Sequence, residues 1–514
     1  MVLVDDLGWG DVNFNRMNPV TGGSEPADPE IRTPTMDALV DQGIHLTRHY
    51  VYKFCTPTRS SLISGRFPVH VQTSLANPEK PFAGVPRNMT GIGWKLKQGG
   101  YYTAWVGKQD TGMATPHHTP EGRGFDESLI YFSHKNDYWT QQEMQSECTK
   151  YGTVVDYWDT GKPAFGQNGT MFEEFAFRDR ILSIVDKHDF SQDLFLLYTP
   201  HVAHCPLQVP QSYLDAFDFM GDDESACSAQ TPYIFPGSSA SDFKCRQQYH
   251  SMVNLLDDNL RNITDALKRR GVWNETLMMF SSDNGGPIVL PESGSNNHPL
   301  RGSKYSEFEG GVRAAAFASG GWLPRSVQGT RSNELAHVAD WYTTFSKLVG
   351  VDPADPWAKQ SGLPPVDGLD LTDLLTSPSG QSPHVAIPVT DLSYIKGNYK
   401  LIVSKEAGFA SWAGERFPNS SSSKSPVEGV SMKCGDGCLF DVVEDPTEHH
   451  ELSASMPEKV QELMADYLAA KQSFFTNNDT GVMSCPPGIS MPCACWMVQH
   501  KYGGFFGPYQ EVTV

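Results

Sequence analysis

Three short stretches of the chain carry side chains that could do chemistry together. Cys55 opens the run Cys55-Thr56-Pro57-Thr58-Arg59-Ser60-Ser61-Leu62-Ile63-Ser64-Gly65-Arg66. Pro57 suits the first turn of a helix, where a missing N–H costs nothing, so Cys55 is expected just before a helix N-terminus. Free backbone N–H groups and the helix dipole favour an anion there. Arg59, one turn on, adds a planar cationic fork that matches sulfate or phosphate. The pattern is a nucleophile poised at an anion site. Asp5 and Asp6 are adjacent carboxylates that repel unless a cation joins them, and Asp283-Asn284 forms a second oxygen pair. Four hard oxygen donors without His or Cys favour Ca²⁺, with Mg²⁺ the alternative, over zinc.

Residues so far apart need a scaffold whose strand ends converge. The first part of the chain alternates short apolar runs with helical stretches, the signature of an α/β sheet. Apolar runs at 1–4, 101–106, 194–198 and 276–280 read as strands. Polar residues follow each of them: Asp5-Asp6, Gly107-Lys108, His201 with His204, and Asp283-Asn284. Ligands of open α/β sheets bind at the carboxyl edge, so these positions are expected to meet. A further strand is expected over 44–51, after a helix begun by Thr33-Pro34 and ended by Gly43. Residues 248–270 carry Met252, Leu256, Leu260, Ile263 and Leu267 at the helical period, and Gly271 stops the helix. The stretches 125–170 and 211–242 read as long loops or insertions.

A Pro/Ser/Gly cluster at 377–383 suggests a boundary, dividing the chain into a catalytic α/β domain over 1–378 and a smaller α+β domain over 379–514. The second is expected to hold an antiparallel sheet, with strands near 399–403 and 438–443, and a helix over 456–471.

The 514 residues bury ample material, with 11 Trp, 19 Tyr and 27 Phe. A net charge of −20 argues against nucleic acid or an anionic membrane as main partner. No stretch approaches the roughly 20 apolar residues a membrane helix requires. The chain opens inside a strand, so the N-terminus reads as truncated and a cleaved leader is expected ahead of it. Six Asn-x-Ser/Thr sequons (Asn88, Asn168, Asn262, Asn274, Asn419, Asn478) and ten cysteines point to the secretory pathway, lysosomal or secreted. Cys227 with Cys245, and Cys434 with Cys438, are the local pairs expected to bridge. The short spacings of Cys434/Cys438 and Cys493/Cys495 lack a zinc-finger ligand set.

The Cys55–Arg66 run resembles the sulfatase signature Cys-x-Pro-Ser-Arg-x-x-x-Leu-x-Gly-Arg, with Thr58 in place of the usual serine. The likeness extends to Gly107-Lys108, to Val202-Ala203-His204-Cys205-Pro206-Leu207-Gln208-Val209-Pro210, to Pro299-Leu300-Arg301-Gly302-Ser303-Lys304, and to Leu439-Phe440-Asp441 through Glu448. Within the family it is nearest to arylsulfatase B, the N-acetylgalactosamine-4-sulfatase, and its glycosaminoglycan-acting relatives. The resemblance implies an alkaline-phosphatase-like fold with a large mixed sheet flanked by helices. It implies Cys55 converted to Cα-formylglycine by the formylglycine-generating enzyme, and a metal on Asp5, Asp6, Asp283 and Asn284 with the oxygen of residue 55 as a further ligand. Lys108, Lys304 and His204 are then implied in binding sulfate, with His204 protonating the leaving oxygen. A sulfated carbohydrate or aryl sulfate is the implied substrate.

One position breaks the pattern. The family places Trp-His after the lysine, and this chain has Gln109-Asp110. That histidine is assigned to deprotonating the formylglycine hydrate as sulfate leaves. Asp110 is the candidate to replace it, if burial lifts its pKa, with His117 and His118 as other candidates. A phosphate or phosphonate monoester hydrolase of the same superfamily, and a turnover-impaired binder of sulfated glycans, are the rival readings.

Overall fold

Short β-branched and aromatic runs separated by amphipathic helices give this chain its main sheet. A computed structural model describes residues 1–16, 28–220, 245–288, 294–417, 429–478 and 481–511. In it, ten strands form one sheet: β1 (Val2–Val4), β2 (Ile44–Leu46), β3 (Tyr102–Lys108), β4 (Glu127–Tyr131), β5 (Trp158–Asp159), β6 (Lys162–Pro163), β7 (Leu194–Thr199), β8 (Met278–Ser282), β9 (Ala316–Ser319) and β10 (Thr330–Ser332). Their order is β10-β2-β9-β8-β1-β7-β3-β4-β5-β6. The middle run β8-β1-β7-β3-β4 is parallel throughout, whereas β9 lies antiparallel to both β8 and β2. This is the mixed sheet of an alkaline-phosphatase-like fold.

The parallel strands are buried and read as nearly continuous apolar runs, as expected of strands covered on both faces. Helices α1 (Pro34–Asp41), α2 (Cys55–Ser64), α3 (Ile92–Gln98), α4 (Glu173–Lys187), α5 (Cys245–Arg269) and α6 (Asp340–Leu348) flank it. The periodic residues expected on α5 all face the core. From the same helix Asp257 accepts the N–H groups of Thr35 and Met36 at 3.0 and 2.8 Å, satisfying the open N-terminus of α1.

Two expectations need correction. The stretch read as an insertion at 125–170 contains β4, which joins the sheet beside β3 with Lys108 opposite Tyr131. Glu-Ser-Leu-Ile-Tyr offers only a short apolar core, and burial comes from its neighbours. The strand expected over 44–51 is broken into β2 and a two-residue strand His49–Tyr50, with a turn at Thr47-Arg48.

The second sheet is antiparallel: β11 (Ala386–Thr390), β12 (Ser393–Lys396), β13 (Tyr399–Gly408) and β14 (Ser431–Asp441), in that order. Neighbouring residues point to opposite faces. Leu401 and Leu439 pack with Leu463 and Tyr467 of α7 (Pro457–Lys471), whereas Ile402 and Phe440 pack with Phe308 of the large unit. The chain then leaves this sheet. Cys495 bridges to Cys148, and Phe506 donates its N–H to the Val155 carbonyl at 2.9 Å, so the last segment packs on the large unit.

The expected Cys434–Cys438 bridge is present, and Cys485 pairs with Cys493. Cys227 of the other expected pair lies outside the described residues. Cys55 is a buried thiol outside any disulfide. No helix among the described residues is long and apolar enough to cross a membrane.

Candidate active site

The carboxyl ends of the five parallel strands supply most of the polar side chains that meet at one edge. Asp5 and Asp6 follow β1, Lys108 ends β3, His134 follows β4, His204 lies beyond β7, and Asp283-Asn284 follow β8. Gly107 lets Lys108 reach this position: its φ is +113°, and a Cβ there would lie 1.9 Å from the Thr199 carbonyl of β7. Cys55 is the first residue of α2, one position further in than expected, and all ten residues of that helix are buried. Gly65 ends it at φ +69°, where a Cβ would strike Tyr342 at 2.5 Å.

The Cys55 Sγ lies 3.5 Å from Asp5 Oδ1 and 3.5 Å from Lys304 Nζ. Lys108 Nζ is 2.7 Å from Asp5 Oδ2, and Lys304 Nζ is 2.7 Å from Asp6 Oδ1. Arg59 reaches Asp283 Oδ2 with Nε at 2.9 Å and Nη2 at 2.7 Å. Thus three buried cations each hold a buried carboxylate. Asp110 adds a fourth carboxylate, so the side chains alone do not attract a sulfate. The Thr58 hydroxyl, at the position where the signature has serine, accepts the Tyr52 N–H at 2.9 Å.

Burial sets the protonation states. It pushes Asp6 up, but Lys304 and His204 more than reverse this and hold the carboxyl below its usual range. Burial, with Asp5 adding to it, lifts Asp283 to about 6 despite Arg59. The Cys55 thiol is raised well above its usual value by burial, with Lys108 and Lys304 offsetting only part, so it is no ready nucleophile. Burial drives His204 well below its usual range. Its Nδ1 lies 2.7 Å from the Cys205 carbonyl and must donate, which leaves the Nε2 lone pair 3.6 Å from Asp6 Oδ2.

Asp5, Asp6, Cys55 and His204 offer ligand atoms that all lie within 4.8 Å of one another. Asn284 donates Nδ2–H to Asp6 Oδ1 at 2.7 Å, and its Oδ1 is buried without a hydrogen-bond partner. The two carboxylates together with the unused buried Asn284 oxygen fit a hard divalent cation.

Asp110 does not behave as expected. Burial pushes its carboxyl up, but His134, Lys108 and Arg59 hold it below the usual range, which makes it a weak base by itself. Its Oδ1 accepts the Thr56 hydroxyl at 3.0 Å and lies 3.0 Å from His134 Nδ1. His118, one alternative candidate, is held at Nδ1 by Thr115, and His117 rests against Trp357. Sequence reading missed His134. Recognising β4 would have revealed it, because Ser133-His134 follows that strand as Asp5-Asp6 follow β1.

Comparisons with known proteins bear on the family and the fold. The sulfatase family profile matches residues 1–351. Arylsulfatase J of Mus musculus is 30% identical over 483 residues, covering 90% of this chain and 74% of the relative. N-acetylgalactosamine-6-sulfatase of Homo sapiens is 25% identical over 400 residues, covering 73% and 65%. Among solved structures, Ps i-CgsB in complex with k-i-k-neocarrahexaose superposes with a TM-score of 0.71 over 93% of each chain at 22% identity, a likeness of fold.

Proposed function

This chain belongs to the sulfatase family and is a sulfatase, and from that premise we propose that it hydrolyses sulfate esters of glycosaminoglycan-type sugars, using Cys55 as Cα-formylglycine. The observation that carries the proposal is the Cys55 position, at the buried start of α2 and 3.5 Å from both Asp5 and Lys304. A thiol raised by burial is a poor nucleophile, whereas formylglycine supplies a hydrated aldehyde whose hydroxyl needs no thiolate.

Asp5, Asp6, Asp283 and Asn284 would hold a divalent cation, calcium in the first instance, whose charge favours binding of the sulfate ester. The N-terminus of α2 and Arg59 orient the anion, and Lys108 and Lys304 bind its equatorial oxygens. His204, neutral with its Nε2 lone pair facing the site, takes up the proton of the attacking hydroxyl of residue 55 and returns it to the leaving sugar oxygen. The disulfides and sequons support a secretory route to lysosome or exterior, with the formylglycine-generating enzyme as a partner during maturation.

The test is turnover of an aryl sulfate, the matching aryl phosphate, and 4- and 6-sulfated N-acetylgalactosamine oligosaccharides. Sulfate should be released from the aryl sulfate and from at least one sugar, and Cys55→Ala should abolish release while leaving the melting temperature near that of the parent. Faster cleavage of the phosphate would favour the monoester-hydrolase reading.

A further inference from the structure

The Asp110 carboxylate sits between residue 56 and an imidazole from the next strand. Asp110 follows β3 and His134 follows β4, and the pairing of Lys108 with Tyr131 brings the two strand ends side by side. His134 Nδ1 lies 3.0 Å from Asp110 Oδ1, the same oxygen that accepts the Thr56 hydroxyl at 3.0 Å. His134 is more than nine-tenths buried, and neither its Nε2 nor its Nδ1, for all the closeness of Nδ1 to Asp110, has a well-aligned hydrogen-bond partner. Asp110 is also held at φ +46°, in the left-handed region, a conformation that clusters at functional sites when a non-glycine residue adopts it. The next residue, Lys135, places Nζ 3.5 Å from the Cys205 thiol beside His204, so this loop borders the site on both sides.

The other titratable groups at this edge are engaged. Asp5, Asp6 and Asp283 are each locked to a cation, and His204 faces Asp6. We propose that His134 and Asp110 form a dyad that accepts the proton released when residue 55 expels sulfate. The Asp110 carboxylate, 3.0 Å from His134 Nδ1, favours the tautomer with its proton on that nitrogen, which leaves the Nε2 lone pair as the acceptor. The O–H bond of the remaining hydroxyl on residue 55 breaks and its proton passes to Nε2. The oxygen electron pair forms C=O, and the C–O bond to sulfate breaks with its electrons leaving on sulfate. The inference rests on the reading of Cys55 as formylglycine. An imidazole supplied by β4 then stands in for the one absent after Lys108.

The test uses His134→Ala, His134→Gln and Asp110→Asn in the full chain. Each is assayed by stopped flow with an aryl sulfate and by peptide mass at residue 55. For His134→Ala the first release of the aryl alcohol should persist as a burst. Steady-state turnover should fall about 10²–10⁴-fold, the usual weight of a general base, and sulfate should remain on the residue 55 peptide. Added imidazole should restore turnover in His134→Ala and clear the sulfate from that peptide, which a merely structural defect would not permit. Asp110→Asn should show the same trapped sulfate with a smaller loss. Parental turnover and no retained sulfate in the His134 variants would overturn the dyad while leaving the Cys55 reading intact. An unmodified thiol in the residue 55 peptide would overturn both, and the same mass spectrum tells the two failures apart.

Discussion

Arg59 closes on Asp283 with two nitrogens, Nε at 2.9 Å and Nη2 at 2.7 Å, both on Oδ2, with both side chains fully buried. This leaves Asp283 Oδ1 to accept the Asp6 N–H at 3.2 Å, so one guanidinium ties α2 to β8 and, through Asp283, to β1. Arg59→Met removes the fork and leaves the Asp283 carboxylate buried without its cation. It should therefore lower stability by about 3–5 kcal/mol, the usual cost of breaking a buried pair, and sulfate release should be lost. Thermal unfolding and an aryl sulfate assay check both; a parental melting temperature would contradict the assigned role.

Lys400 ties the second sheet to the large unit. Its Nζ lies 2.8 Å from Glu309 and 2.7 Å from Glu448, and all three side chains are fully buried. Burial raises Glu448 to about 7, with Lys400 offsetting part of the rise. Lys400→Met leaves two buried carboxylates facing each other, so stability should fall by about 3–5 kcal/mol. Turnover per folded molecule should hold near the parental value, because Lys400 touches no site residue. Urea unfolding combined with active-site titration separates the two effects.

Asn284 presents a buried amide oxygen with no partner, and its amide nitrogen holds Asp6. Asn284→Ala should weaken calcium binding at least tenfold by titration calorimetry. Chelation should remove activity from the parent, and added calcium should return it. Full activity in chelated protein would refute the cation assignment.

The pH dependence of stability follows from two opposed groups. Burial lifts Asp11, Glu143 and Glu174 to about 7, and Asp156 and Asp257 to about 6. For these the folded pKa is raised, so their contribution is full below the unfolded value and is lost as pH rises through 6–7. Burial lowers His45, His49 and His250 to about 3. Their contribution is full above the unfolded value and declines as pH falls toward 3. Between pH 5 and 7 the two trends oppose each other. Below about pH 4.5 the carboxylates protonate in the unfolded chain as well, and the histidine cost stands alone. The melting temperature should therefore vary little from pH 5 to 7.5 and fall steeply below about 4.5. A continuous rise from pH 4 to 8 in calorimetry would contradict the carboxylate assignments.

Much of the site was legible because each strand ended in a polar pair at a visible break in hydrophobicity. Asp5-Asp6, Gly107-Lys108 and Asp283-Asn284 stand where apolar runs stop, and parallel strands bring such ends to one edge. What could not be read depends on non-local pairing. β4 is too short to announce itself, and His134 meets Asp110 only through the register of β3 against β4. The fall in the Asp110 pKa escaped for the same reason, since burial alone predicts a rise and the largest reversing influence, His134, comes from beyond a different strand. The return of the last segment to the large unit rests on Cys148–Cys495, a pairing that spacing cannot reveal.

The central claim is that residue 55 acts as formylglycine and not as a thiol. The most direct measurement is the mass of the peptide spanning Cys55, taken from active protein made together with the formylglycine-generating enzyme. The account predicts a peptide lighter than the encoded one by the loss of one sulfur and two hydrogens against the gain of one oxygen, reactive toward hydrazides and inert to iodoacetamide. Active protein in which Cys55 keeps its encoded mass and alkylates fully would contradict it.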